Sequence, residues 1–162
     1  MGTILNSFTT RTVLIGLGIH AILLPLLFVG LLKIVEESHE ERFVNDVRKY
    51  SRFIADVFES GDILKDRTQT AHLLDSALLG SDVIVTELIA GDIQLRRELS
   101  PNESAIIYKE DYSFGQHGDQ IYFVSAPIYT SDQPGVLRMG FDEQPTIEQI
   151  ELARQRIIEV LL

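Results

Sequence analysis

Polar and aromatic side chains that could bind a small molecule lie inside the segments whose pattern predicts strands. An arginine in such a position can hold a ligand carboxylate through two parallel hydrogen bonds, and tyrosine rings can form the walls of a pocket. We therefore expect a carboxylate-bearing small molecule as the ligand class. The candidate ligand-binding residues are Arg96, Arg97, Tyr108, Asp111, Tyr112, Tyr122 and Arg138.

Arg138 illustrates the two interpretations that the sequence leaves open. Alternation along its strand places Leu137, Met139 and Phe141 on one face of the sheet and Arg138 on the other. In one interpretation Arg138 binds the ligand. In the other it forms an ordinary ion pair with a Glu or Asp of the neighbouring strand on a solvated face.

The sequence contains little that indicates catalysis or metal binding. His117-Gly118-Asp119 lies in a predicted hairpin tip, where a solvated turn explains it, and the other histidines have no ligand spacing. The sequence contains neither a phosphate-binding glycine loop nor a G-x-S-x-G motif, and adjacent acids such as Asp142-Glu143 diverge in a strand. We expect no catalytic residue, no metal and no cofactor in this segment.

These candidates lie beyond one long apolar segment, Thr12 to Leu32, whose 21 residues have no formal charge. At about 1.5 Å per residue a helix of this length spans roughly 32 Å, which matches the hydrocarbon core of a bilayer. A buried core helix and a cleaved signal peptide are the alternatives. The segment is apolar on every side and is not followed by a small-residue cleavage pattern, so we predict a retained membrane anchor.

The remainder of the chain is strongly acidic. Residues 36–162 contain 12 Lys or Arg and 24 Asp or Glu, which gives a net charge of −12. Such a charge repels nucleic acid and anionic lipid head groups, so we expect no nucleic-acid partner. The absence of cysteine excludes disulfides and thiol catalysis.

Helical periodicity continues past the apolar segment and predicts one helix over about 12–59. A shorter helix is predicted over 68–79, and an exit helix begins at Pro145, a residue suited to the first helical turn. Between them the period changes to two. Short turn-rich connections predict an α+β fold with an antiparallel sheet of five strands, near 82–90, 93–99, 105–113, 119–130 and 135–142.

The predicted organisation has four parts: a cytoplasmic stub (1–11), a transmembrane helix (12–34), a domain (35–144) and an exit helix (145–162). The last residues become more apolar instead of more polar. We therefore expect the exit helix to lead to a second transmembrane helix of a longer protein.

Residues 111–119 and 121–128 resemble the hairpin of the third and fourth strands in single Cache domains, the PAS-like sensor modules of bacterial transmembrane receptors. Residues 135–142 resemble the closing strand of that family, and the layout of 35–162 is similar throughout. The resemblance implies an extracytoplasmic, periplasmic domain at the inner membrane that binds a small molecule. It also implies homodimers and a signal relayed to a cytoplasmic histidine kinase, diguanylate cyclase, phosphodiesterase or chemotaxis module.

A second function class fits the same pattern. A single-pass envelope scaffold, such as a component of a pilus or secretion platform, would also have a short stub, one span, a helical stalk and a small α+β head. Such a protein would need no ligand pocket.

Overall fold

The computed structural model describes residues 8–60, 62–80, 82–99, 107–108, 113–115, 120–130 and 134–161. Its first element is α1, Phe8–Ser60, a continuous helix of 53 residues. The helix predicted over 12–59 is thus confirmed, and at about 1.5 Å per residue it is roughly 80 Å long. Its N-terminal half contains a segment long and apolar enough to cross a membrane, none of which is buried against the rest of the protein.

A 3₁₀ turn, Asp62–Lys65, and the helix α2, Arg67–Ala77, follow. Asp66 caps α2, because its carboxylate accepts hydrogen bonds from the backbone amides of Thr68 (2.8 Å) and Gln69 (3.3 Å). The predicted second helix is confirmed at its start and ends slightly earlier than expected.

The described residues form a four-stranded sheet, with β1 at Val83–Ala90, β2 at Ile93–Glu98, β3 at Ile121–Tyr129 and β4 at Pro134–Asp142. The strand order is β2-β1-β4-β3, and every neighbouring pair is antiparallel. Short connections join β1 to β2 and β3 to β4, whereas β2 and β3 are separated by a longer segment. The two central strands, β1 and β4, are neighbours in the sheet although they are far apart in the sequence.

The predicted fifth strand, 105–113, is not among these four. Its described residues, 107–108 and 113, lie outside any strand, and the others lie outside the described residues. The Tyr108 ring packs on one face of the sheet, against Phe123 of β3 and Arg138 of β4. The architecture is therefore α+β, with a four-stranded sheet in the described part of the chain.

The hydrophobic core lies between one face of the sheet and α1. The most completely buried large side chains come from both layers and include Phe58, Leu88, Ile128, Leu137 and Phe141. At the end nearer the apolar segment, the Phe43 ring packs edge-on against Tyr122, with centroids 5.7 Å apart.

The far end of α1 is fastened to the edge strand β3 by two charged side chains. Arg52 donates from Nη1 to the Pro127 carbonyl at 2.7 Å and from Nη2 to Glu59 at 2.9 Å. Glu59 in turn accepts the Tyr129 amide at 2.9 Å. This amide contact, together with Arg52, lowers the pKa of Glu59 below its usual value.

The last element is α3, Gln144–Leu161, which confirms the predicted exit helix. It runs antiparallel to α1: Thr146 lies near Asp46, and eight residues later Arg154 pairs with Glu36 at 3.2 Å. Because residue numbers fall along α1 as they rise along α3, the end of α3 points towards the apolar segment.

Candidate functional site

Five of the seven predicted ligand-binding residues can be placed, and three of them share one face of the sheet. Arg138 lies opposite Glu87 in the register of β4 and β1, and its Nη1 is 3.4 Å from Glu87 Oε2. Arg96 also lies opposite Glu87, from the β2 side, and its Nε donates to Glu98 at 2.6 Å. We call Glu87, Arg96, Tyr108 and Arg138 the sheet-face cluster.

Tyr108 covers this cluster. The guanidinium carbon of Arg138 lies 4.4 Å from the centre of the Tyr108 ring, a cation–π geometry. The same ring packs edge-on against Phe123 at 5.4 Å, and its hydroxyl contacts the Ser125 hydroxyl. Arg138 therefore has a carboxylate on one side and an aromatic ring on the other.

Tyr122 and Arg97 lie on the opposite face of the sheet. Tyr122 is buried in the core against Phe43, and Arg97 forms an ion pair with Asp75 of α2 at 2.9 Å. The sequence did not separate these residues from the sheet-face cluster, because the strand registers decide which side each residue occupies. The remaining candidates, Asp111 and Tyr112, lie outside the described residues.

The sheet-face cluster leaves almost no free space between its described side chains. The cavity there has a volume of about 10 Å³, whereas even one water molecule needs roughly 10–15 Å³. Arg138 forms the cross-strand ion pair of the second interpretation, and both partners are largely shielded from solvent. Its Nε is buried and has no hydrogen-bond partner among the described residues.

A much larger space opens on the other side of the sheet, at the end nearer the apolar segment. This cleft has a volume of about 450 Å³, which lies within the range of small-molecule sites. We call it the helix cleft, because α1 forms one wall and the start of α3 another, with the ends of β1 and β4 at its base. Its lining residues are His39, Arg42, Phe43, Asp46, Val47, Tyr50, Asp82, Phe141, Thr146 and Gln149.

The helix cleft combines an apolar back wall with free polar groups at its rim. The side chains of His39, Arg42, Asp46 and Asp82 form no hydrogen bond or ion pair with any other described residue. Tyr50 is held differently: its hydroxyl donates to the Ala77 carbonyl at 3.2 Å, and burial raises its pKa. The rim therefore offers both signs of charge to a small molecule.

Sequence reasoning missed the helix cleft, although a signal was present. His39, Arg42 and Asp46 recur at three- and four-residue steps beside the buried Phe43 and Val47, so they share one edge of the helix stripe that faces the core. The sequence does not show that α3 packs beside this edge of α1, and this packing encloses the cleft.

No protein-family model, curated protein or solved structure matches this chain. Its function must therefore be argued from its own geometry. Within the described ranges, no group of three or more His, Cys, Asp or Glu side chains is placed to hold a metal ion. The candidate ligand sites are therefore the filled sheet-face cluster and the open helix cleft.

Proposed function

We propose that this chain is the ligand-sensing input region of a membrane-bound signalling protein, with its head on the periplasmic side of the inner membrane. A small molecule binds in the helix cleft and changes the position of α3 relative to α1. The change passes through the membrane helices to a cytoplasmic output module of the histidine kinase, diguanylate cyclase or chemotaxis type. The proposed active form is a homodimer.

The observation that supports this proposal is that α1, which contains the apolar segment, and α3, whose end points towards that segment, line the same cleft. Asp46 of α1 and Thr146 of α3 are among its lining residues, and Arg154 and Glu36 join the two helices further along. A ligand that prefers one spacing of the helices will shift the population towards that spacing. Shifts of roughly 1–2 Å between packed helices are sufficient for signalling in other proteins.

The charges of the helix cleft suggest the chemistry of its ligand. Arg42 provides an unpaired guanidinium that can hold a carboxylate, while Asp46 and Asp82 can hold an amine. Phe141 and Val47 supply an apolar surface behind them. We therefore propose a small carboxylate-bearing molecule, with an amino group as the second feature.

The direct test is a thermal-shift screen of the full chain in lipid nanodiscs against carboxylates, amino acids and amines. A ligand present at a hundredfold over its Kd should stabilise the protein by about 2.7 kcal/mol. We expect the shift to disappear in Arg42→Gln and in Asp46→Asn. The matched control is Arg48→Gln, which alters an exposed arginine of the same helix outside the cleft.

The same experiment separates the alternatives. A shift that survives Arg42→Gln and disappears in Arg138→Met would move the site to the sheet face. The absence of a shift with every compound would contradict small-molecule sensing and favour the envelope scaffold.

A further inference from the structure

Glu143 occupies the joint between the sheet and α3. It follows the last residue of β4, and its carbonyl accepts the first hydrogen bonds of α3, from Thr146 at 3.1 Å and Ile147 at 3.0 Å. Its amide donates to the carbonyl of Gln120 at 2.8 Å, just before β3. The residue is 0% exposed, although glutamate is rarely buried without a partner.

The carboxyl group of Glu143 is only half satisfied. Oε1 accepts the backbone amide of Gly115 at 3.1 Å, which ties the joint to the turn at 113–115. Oε2 is buried and has no hydrogen-bond partner among the described residues. Buried polar atoms are nearly always partnered in folded proteins, so an exception at such a joint requires an explanation.

The charged groups around Glu143 add to the cost of ionising it. Asp142 of β4 and Glu40 of α1 both act on it with negative charge, and the turn at 113–115 contributes only the Gly115 amide. The neighbouring Gln144 of α3 is uncharged, its backbone amide donates to Asp142 Oδ1 at 2.9 Å, and its side-chain amide donates to Glu148 at 2.9 Å. No cation among the described residues forms an ion pair with Glu143.

We propose that Glu143 is a proton-operated switch of the joint between the sheet and α3. When the carboxyl group is protonated, it stays buried and the joint is closed. When it is ionised, the buried charge faces Glu40 and Asp142, and the joint opens to let water reach the carboxylate. This inference rests on the proposed function in one respect, that α3 carries the signal.

The sign of the effect follows from the burial of the group. Burial raises the pKa of Glu143 above its usual value of 4.5, while the Gly115 amide opposes the rise in part. The closed joint is therefore fully favoured below the usual value and loses stability as the pH rises through the raised value. Between the two values the opening equilibrium increases by about tenfold per pH unit, and above the raised value it is constant.

The switch lies where it can regulate the helix cleft. Phe141, two residues before Glu143, and Thr146, three residues after it, both line that cleft. Glu40, which faces the carboxyl group, is next to His39 of the cleft wall. Opening of the joint would change the wall that α3 provides, so protonation and ligand binding are expected to be coupled.

The test is amide hydrogen exchange on the full chain in nanodiscs between pH 4.5 and 8, corrected for the intrinsic exchange rate and without any ligand. The informative amides are those of Gly115, Thr146 and Ile147, which bond to Glu143 itself. We expect their protection to fall by about tenfold per pH unit over part of this range in the native chain. In Glu143→Gln, protection should stay at the acid level throughout.

Two further variants keep the result decisive. Glu40→Gln removes one facing charge, so protection should become constant at a lower pH and remain higher at neutral pH. Glu151→Gln changes a carboxylate of α3 whose side chain is 57% exposed, and it should behave as the native chain does. Protection without pH dependence in the native chain, or an unchanged profile in both Glu143→Gln and Glu40→Gln, would overturn the proposal. Because no ligand is added, this outcome is independent of the ligand screen.

Discussion

The sheet-face cluster and the helix cleft contain similar side chains but use them differently. In the cluster, the guanidinium of Arg138 has Glu87 3.4 Å away and the Tyr108 ring against its face, and almost no space remains. In the cleft, Arg42 and Asp46 have no partner among the described residues, and about 450 Å³ is open beside them. Charges that are already paired stabilise the fold, whereas unpaired charges beside a cavity remain available to a ligand.

This difference shows why residue type is a weak guide to a binding site. An arginine within a strand, Arg138, matched the pattern for carboxylate recognition, but its guanidinium already pairs with the cross-strand Glu87. An arginine on a helix surface gave no such pattern, and it is the one that faces open space. Two predictions test this comparison, and a third concerns a part of α1 that lies outside both regions.

The largest change in the free energy of unfolding is expected when the phenylalanine that lines each region is replaced by alanine. Phe141 is 1% exposed and backs the helix cleft, so Phe141→Ala should lower the free energy of unfolding by about 3–5 kcal/mol. Phe123 lies in the sheet-face cavity and is only half-buried, so Phe123→Ala should cost clearly less. Urea unfolding of both variants in detergent, followed by circular dichroism, measures the difference. Equal losses would contradict the view that the core lies on the helix side.

The second prediction concerns the two arginines. Arg138→Met removes the ion-pair partner of the largely shielded Glu87, which keeps only a 3.4 Å contact from Gln94 among the described residues, and should destabilise the protein by about 1–3 kcal/mol. Arg42→Gln removes an exposed, unpaired charge and should change stability by less than about 0.5 kcal/mol.

A double-mutant cycle sharpens this second prediction. If Glu87 and Arg138 interact directly, adding Glu87→Gln to Arg138→Met should restore part of the lost stability. Strictly additive losses would show that the two side chains act independently.

The smallest expected effect concerns the fastened end of α1, away from both regions. The Tyr129 amide and Arg52 lower the pKa of Glu59, so the ionised form stabilises the fold. This contribution is present above the usual pKa of 4.5 and is lost as the pH falls through the lowered value. Thermal unfolding between pH 6 and 3 should show a smaller acid-side decrease of Tm in Glu59→Gln than in the native chain. An identical decrease in both would contradict this role.

The helices and most strands could be predicted from the sequence because their signals are local. The apolar segment at 12–32, the helix predicted over 68–79 and Pro145 at the start of α3 are each recognised from residues within a few positions. The fifth strand predicted over 105–113 is not among the described strands, and most of that segment lies outside the described residues. Tyr108 of that segment packs its ring against Phe123 of β3 and Arg138 of β4, contacts that no local pattern reveals.

The candidate site was less predictable for a related reason. Arg138 and Glu87 are 51 positions apart, and Arg154 and Glu36 are 118 positions apart, so no local pattern reveals that they are partners. Glu143 looked like one of two adjacent acids, and only the packing of α1, β4 and the turn at 113–115 shows that it is buried.

By itself the sequence determined the three helices and four of the strands, which segment is apolar enough for a membrane and how acidic residues 36–162 are. Those properties depend on periodicity, composition and turn residues along a short stretch of chain. The tertiary structure decided which charges are paired, which are buried and where space remains. These outcomes depend on register and on the approach of α3 to α1, which bring together residues far apart in the chain.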